Sequence, residues 1–367
     1  DLFMLLNFRV DMLFSAQPPG KLWHNSALSY SQHSMSTRKF NSMNRSKVAV
    51  IGASGYAGAE LSALVAGHPG LELSGLYVSG ASKDAGRKLS SLYPKHTGIV
   101  DLPLTPLGDD GAALEEIKRN ADIVCLCTAH DVSMRIAPDF ITDASKKVFD
   151  LSGAYRVNDP AFYEKYYGFT HTRTDWLASA VYGLAEWNRE AIRKASLVAV
   201  AGCYPTASLT ALKPLFNAGL IRRDSMPVIN AVSGVSGAGR KAAVSNSFCE
   251  VSLNPYGVFT HRHRPEISHH LGQKVLFQPH LGNFKRGILA TIYVQLADGA
   301  TDSAIEQAYR KSYEGCRLVR ILDQWPSIAG VENTPYVDLH WQREDDILIV
   351  CSAIDNLVKG AAGQAVQ

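Results

Sequence analysis

A short apolar run, Val48-Ala49-Val50-Ile51, ends in the series Gly52-Ala53-Ser54-Gly55-Tyr56-Ala57-Gly58, and this junction restricts the fold more than any other stretch. Four consecutive apolar residues suit a strand buried on both faces, as in a parallel sheet. Leu61, Leu64 and Val65 then recur at helical spacing until Gly67 and Pro69 stop the helix, and Leu71–Val78 reads as a second strand. Such a strand–turn–helix–strand unit exposes backbone N–H groups at the helix N-terminus, where a pyrophosphate can be held. The spacing is GxxGxxG and not the commoner GxGxxG. Placement between strand and helix therefore carries the reading, against simple tight packing of the two elements.

The end of the second strand bears on which dinucleotide binds. Sites for NAD place Asp or Glu roughly 20 residues past the glycines. Here the strand closes as Leu76-Tyr77-Val78-Ser79-Gly80, without a carboxylate. Ser79 and Ser82 can donate hydrogen bonds, and Lys83 and Arg87 bring positive charge. That set favours NADP(H) over NAD, while Lys83 and Arg87 also fit a solvated loop.

With 367 residues, and roughly 150 per domain, two domains are expected. Ile123–Cys127, Val148–Leu151 and Leu197–Ala201 continue the strand pattern between helical segments, which argues for an α/β, doubly wound, Rossmann-type domain. Beyond about residue 204 the strands lengthen: Pro227–Val232, Lys274–Gln278, Ile288–Leu296, Tyr336–Trp341 and Ile347–Ser352, with one amphipathic helix over Thr301–Tyr313. An α+β domain with an antiparallel sheet is expected there. The boundaries read as 47–203 together with 345–367 for the nucleotide domain, and 204–344 for the second.

Residues 1–46 differ from the rest: they contain no Glu, and Asp1 and Asp11 are their only acidic residues. They read as a disordered extension. The Arg- and Ser-containing, acid-poor composition also resembles in part an organelle transit peptide. A net charge of +3 without long basic runs argues against a nucleic-acid surface. No apolar run reaches the ~18–20 residues that cross a bilayer. Six scattered cysteines without a CxxC pattern do not form a disulfide scaffold, so reduced thiols are expected, and a cysteine that matters should matter as a thiolate.

The strongest candidate is Cys203, in Ala201-Gly202-Cys203-Tyr204-Pro205-Thr206. It follows a strand and precedes an apolar-periodic helix with Leu209, Leu212 and Leu215, and Pro205 suits a first helical turn. A thiol at a helix N-terminus is expected to have a lowered pKa, and the same open N–H groups can hold an oxyanion. The other cysteines read as structural. His261-Arg262-His263-Arg264-Pro265-Glu266 gathers bases and cations in a few residues, as a thiolate nucleophile and an acyl or phosphoryl substrate require. A metal site from His261, His263, His269 and His270 is weaker, because no carboxylate or thiol joins at ligand spacing. Ser233–Arg240 is glycine-rich, with Arg240 as a candidate anion clamp.

From Lys47 onward the chain resembles the N-acetyl-γ-glutamyl-phosphate reductase family in its short bacterial form. The resemblance rests on Gly52–Gly58, Phe149–Arg156, Tyr182-Gly183-Leu184, Gly202–Thr206, Ser233–Arg240, His261–Ile267 and Asp355–Gly360, in that order. It implies a Rossmann domain followed by an α+β catalytic and dimerisation domain like that of glyceraldehyde-3-phosphate dehydrogenase. It further implies that Cys203 attacks the γ-acyl phosphate, that phosphate leaves, and that hydride from NADPH reduces the thioester to N-acetylglutamate semialdehyde. By the same resemblance His261 is the acid/base, His263, Arg264 and Glu266 orient it or bind substrate, and Arg156 and Arg240 bind the phosphate or carboxylates of the substrate. Gly52, Ser54, Gly55, Tyr56, Ala57, Gly58, Ser79, Thr128, Ser152 and Asn356 are cofactor-side positions. The final helix, from about Asn356, is expected to return to the first domain.

The resemblance also implies a cytoplasmic homodimer or homotetramer without nucleic-acid or membrane partners, or an organelle location if residues 1–46 are a transit peptide. Two departures stand out: Ala201 occupies a position where the family has Pro, and residues 1–46 have no counterpart. The rival readings are an aspartate-semialdehyde dehydrogenase-like acyl-phosphate reductase and a non-catalytic NADP-binding protein. A short-chain dehydrogenase needs Tyr-x-x-x-Lys, and no tyrosine here has Lys four residues on.

Overall fold

The computed structural model describes residues 45–367. The readings made for the first 44 residues therefore lie outside the described part. Strands β1 (Ser46–Ile51), β2 (Leu71–Ser79), β3 (Leu104–Leu107), β4 (Ile123–Leu126), β5 (Lys147–Asp150), β6 (Val181–Gly183) and β7 (Leu197–Val200) form the first sheet. Its order is β3-β2-β1-β4-β5-β7-β6 and every pairing is parallel. Val48 to Ile51 are all buried because helices cover both faces, as the unbroken apolar run requires. The order reverses between β1 and β4, which opens a crevice at their carboxyl ends, where ligands bind in sheets of this kind.

The second sheet contains β8 (Val228–Gly234), β9 (Asn254–Pro255), β10 (Leu276–Gly282), β11 (Ile288–Gln295), β12 (Val319–Ile321), β13 (Val337–Glu344) and β14 (Ile347–Ile354), in the order β12-β13-β14-β11-β8-β10-β9. The expectation of an antiparallel sheet needs correction. β8 pairs parallel with β10, and β12 with β13, so the sheet is mixed. A parallel neighbour requires a crossover, and here the long segment from β8 to β10 carries a helix of its own. Another correction concerns the boundary at 345. β14 pairs with β11 and β13, so the chain leaves the second sheet only after Ile354.

Helices α1 (Tyr56–Gly67), α2 (Ala185–Lys194), α3 (Cys203–Asn217), α4 (His263–Leu271) and α5 (Asp302–Tyr313) position the site. Along β11, Ile288, Ala290, Ile292 and Val294 are buried under α3, and the alternate residues face the other way. Helix α3 is buried along most of its length and contains Pro214. That proline has no N–H for the carbonyl of Thr210, which instead accepts from Tyr313 Oη of α5 at 2.5 Å. Residues 358–362 form a π-helical turn, followed by a short helix at Gly363–Val366. Ala362 and Ala365 join Val50, Ala59 and Leu61 in one core, so the end of the chain packs on α1 as expected.

Candidate active site

Cys203 is the first residue of α3, with Gly202 in extended conformation before it. It is free and half-buried. The expected low pKa is not found: burial pushes the Cys203 thiol up, and Arg156 and the N–H of Tyr204 only partly oppose this.

Glu266 lies beneath this turn. It is fully buried, and its Oε1 accepts from Gly202 N at 3.0 Å and from Tyr182 Oη at 2.8 Å. Its Oε2 faces Arg156 Nη1 at 3.4 Å and His263 Nε2 at 4.0 Å. Arg156 also donates from Nε to Val200 O at 2.8 Å and from Nη2 to Leu151 O at 3.2 Å. Both residues were expected to bind substrate. The structure spends nearly all their polar groups on the framework, because a buried charge must be paired and fully hydrogen-bonded. Tyr182 belongs to the same network and was read from sequence only as part of a motif. Its ring stacks on His270 at 3.4 Å, and His270 Nε2 lies 2.7 Å from Arg156 O.

The two expected histidines meet at the residue after the cysteine. The Tyr204 ring is 5.7 Å from that of His261 and 5.8 Å from that of His263. His263 N donates to His261 Nδ1 at 3.1 Å, so the neutral His261 ring carries its proton on Nε2. Burial, with the neighbouring Arg262, holds the His261 pKa down to about 4, and burial also holds His263 well below its ordinary value. His263 Nδ1 is buried without a protein partner. Arg264 points away: its Nε donates to Val275 O at 3.4 Å and its guanidinium lies over Phe259. Arg262, the other cation of this segment, lies over the ring of Tyr167, and its charge opposes the rise of the Cys203 pKa. Among the described residues no group of three or more His, Cys, Asp or Glu gathers to hold a metal.

On the nucleotide side, Gly52 has φ of +84°, and a Cβ there would lie 2.3 Å from Cys127 O. Only glycine lets β1 and β4 approach so closely. Gly55 caps α1 without a side-chain hydrogen bond, which leaves the N–H groups of Tyr56 and Ala57 open in the first turn. Ser54 O accepts from Tyr93 Oη at 2.8 Å. Ser79 ends β2 and is exposed, as are Lys83 and Arg87. Thr128 Oγ1 is 2.9 Å from Ser133 Oγ.

Three expected positions already have partners within the protein. The Ser152 hydroxyl donates to Asp150 and accepts from Ala154 N, so it is used inside the fold. Asn356 Oδ1 accepts from Gly287 N at 2.6 Å and its Nδ2 donates to Ser236 Oγ at 3.0 Å, which fastens the loop after β14. Arg240 is not beside Cys203. It pairs with Asp84 and donates to Ser54 O at 3.3 Å, on the glycine turn. A cleft of about 480 Å³ opens there, lined among others by Tyr56, Tyr93, Lys95, Arg240, Lys285 and Arg286.

Residues 47–195 match the NAD-binding domain of semialdehyde dehydrogenase, and residues 203–356 match its dimerisation domain. A protein of Tolumonas auensis named N-acetyl-gamma-glutamyl-phosphate reductase is 66% identical over 320 residues, covering 87% of this chain and 95% of that one. Proteins of the same name from Aeromonas hydrophila (87% of this chain, 94% of that one) and Vibrio parahaemolyticus (88% and 95%) are 63% and 55% identical. Among solved structures, aspartate semialdehyde dehydrogenase II of Vibrio cholerae, complexed with ASA, superposes with a TM-score of 0.66 at 15% identity, covering 88% of this chain and 96% of that one. The Candida albicans enzyme with NADP gives 0.62 at 17%, with the same coverage. At such identities the likeness is one of fold alone. The fold, the cysteine at the helix terminus and the curated relatives agree: the chain belongs to the semialdehyde dehydrogenase family and, within it, to the N-acetyl-γ-glutamyl-phosphate reductases.

Proposed function

We propose that the protein catalyses the NADPH-dependent reductive dephosphorylation of N-acetyl-γ-glutamyl phosphate to N-acetylglutamate semialdehyde, a step of arginine biosynthesis. The observation that carries this reading is Cys203 at the start of a buried helix, with its preceding N–H fixed by Glu266, in a chain 66% identical to a reductase of that name. The residues present fit the cofactor. Gly52 keeps the turn open, the N–H groups of Tyr56 and Ala57 suit a pyrophosphate, and Arg240 and Lys285 add positive charge.

The Cys203 thiolate attacks the γ-carbonyl carbon, the C–O bond to phosphate breaks, and inorganic phosphate leaves as the thioester forms. Bound NADPH supplies the hydride that brings the thioester to the aldehyde level. The resulting oxyanion is held by the N–H of Cys203 in the first turn of α3 and by His261, whose proton lies on Nε2. Collapse expels the Cys203 thiolate and frees the semialdehyde, so the nucleophile returns ionised despite its raised resting pKa. Arg262 is placed to attract the anionic substrate.

The test is reduction of NADP by N-acetylglutamate semialdehyde. Turnover should require phosphate or arsenate and should vanish in Cys203→Ala. Equal turnover without either anion, or full activity in the variant, would sink the acyl-phosphate mechanism. The match of residues 203–356 to a dimerisation domain supports a homodimer or homotetramer, which size-exclusion chromatography with light scattering checks. No helix among the described residues is long and apolar enough to cross a membrane. A cytoplasmic location is tested by cell fractionation.

A further inference from the structure

Lys359 is completely buried, and its Nζ forms an ion pair with Glu186, whose side chain is also buried. The partners are 173 positions apart, and Gln367 Oε1 accepts from the same Nζ at 2.6 Å. A buried ion pair is weak evidence for stability, since desolvation offsets most of the attraction. The last turn is already held on α1 by Ala362 and Ala365. The pair therefore calls for a second explanation, and the next residue supplies one. A Cβ on Gly360 would lie 2.7 Å from Cys203 Cβ and 3.1 Å from Cys203 Cα. The bare main chain of Gly360 is thus in contact with the cysteine.

The backbone around Gly360 is shaped for that contact. Gly360 N donates to Asp355 O and Ala362 N to Leu357 O, both at 2.9 Å, in a π-helical turn of a kind that concentrates at functional sites. Gln364 Nε2 donates to Gly183 O at 3.1 Å, a second tie to the corner between β6 and α2. Tyr182, in that same corner, reaches the other side of the cysteine through Glu266 and Gly202 N.

We propose that the Glu186–Lys359 pair is a positioning device for the reaction: it presses the main chain at Gly360 onto Cys203 and so selects the direction of the thiol. The thiol has three staggered wells about Cα–Cβ, and a backbone packed against Cβ removes those that point into it. Neither residue touches substrate. Both act through Gly360. The proposal rests on Cys203 being the nucleophile, and the test separates the two.

The double variant K359M/E186M removes both charges without leaving either unpaired, so it is expected to fold. Its kcat should fall by on the order of 10–100-fold, as for a misplaced reacting group, with KM for NADPH unchanged. The rate of iodoacetamide alkylation at Cys203, located by peptide mass mapping, should change with it. A folded double variant with wild-type kcat and wild-type alkylation of Cys203 overturns the proposal. Gly360→Ala keeps the ion pair and sets a methyl group against Cys203, so it decides the matter should the double variant not fold. It should lose kcat similarly, and wild-type turnover in it overturns the proposal. Full activity in Cys203→Ser would overturn the nucleophile reading alone, because alkylation of Cys203 reports its placement independently of turnover.

Discussion

Glu266 Oε1 accepts the main-chain N–H of Gly202 at 3.0 Å, so a carboxylate on α4 fixes the peptide that precedes Cys203 at the start of α3. The other oxygen faces Arg156, and the carboxylate is fully buried. Its part in the site is to hold the turn.

Glu266→Gln should therefore destabilise the protein more than it weakens substrate binding. It leaves Arg156 charged and buried without its counter-ion, at a cost of about 3 kcal/mol. Urea unfolding measures this, and an unchanged midpoint would exclude the role.

Four histidines, His263 buried and His130, His261 and His270 half-buried, give stability a definite pH dependence. His130 and His270 are held down to about 3, His261 to about 4, and His263 is also lowered, each chiefly by burial. The unfolded chain takes up protons below the ordinary value of 6.5 while the folded one does not, so stability is full above that value. It is lost as pH falls through about 4. Urea midpoints at pH 7.5, 6 and 5 should decline in that order, and His270→Gln should flatten the decline.

Arg240 pairs with Asp84 and reaches Ser54 O. Arg240→Ala should raise KM for NADPH about tenfold, the worth of one charge-assisted hydrogen bond, and leave KM for the acyl phosphate unchanged. Steady-state kinetics with each substrate varied in turn distinguishes this from a substrate clamp, which would show the opposite split.

Tyr313 supplies the hydrogen bond that Pro214 withholds from Thr210 O. Tyr313→Phe should cost about 1–2 kcal/mol by leaving that buried carbonyl unsatisfied. In a Pro214→Ala background the restored N–H should remove much of the cost. Additive losses in the double variant would refute the compensation.

Local sequence determined a good deal of this protein. The apolar run before Gly52 suits a strand buried on both faces of a parallel sheet, and its glycines specify an open turn, because both follow from neighbouring residues and backbone sterics. Cys203 at a helix start was legible for the same reason: strand, glycine and Pro205 lie side by side in the chain. The thiol's raised pKa was not legible, since burial is a property of the packed core. Nor was the side of the cleft that Arg240 would take, 186 positions from Ser54. Arg156, Ser152 and Asn356 looked available to ligands because their types bind ligands, but each met an internal partner first. Glu266 beneath Gly202, 64 positions away, and Lys359 against Glu186 depend on which surfaces meet when the two sheets close around α3. Periodicity and turn chemistry act over a few residues. Pairing of buried polar groups acts across the whole fold, and only the tertiary structure decided it.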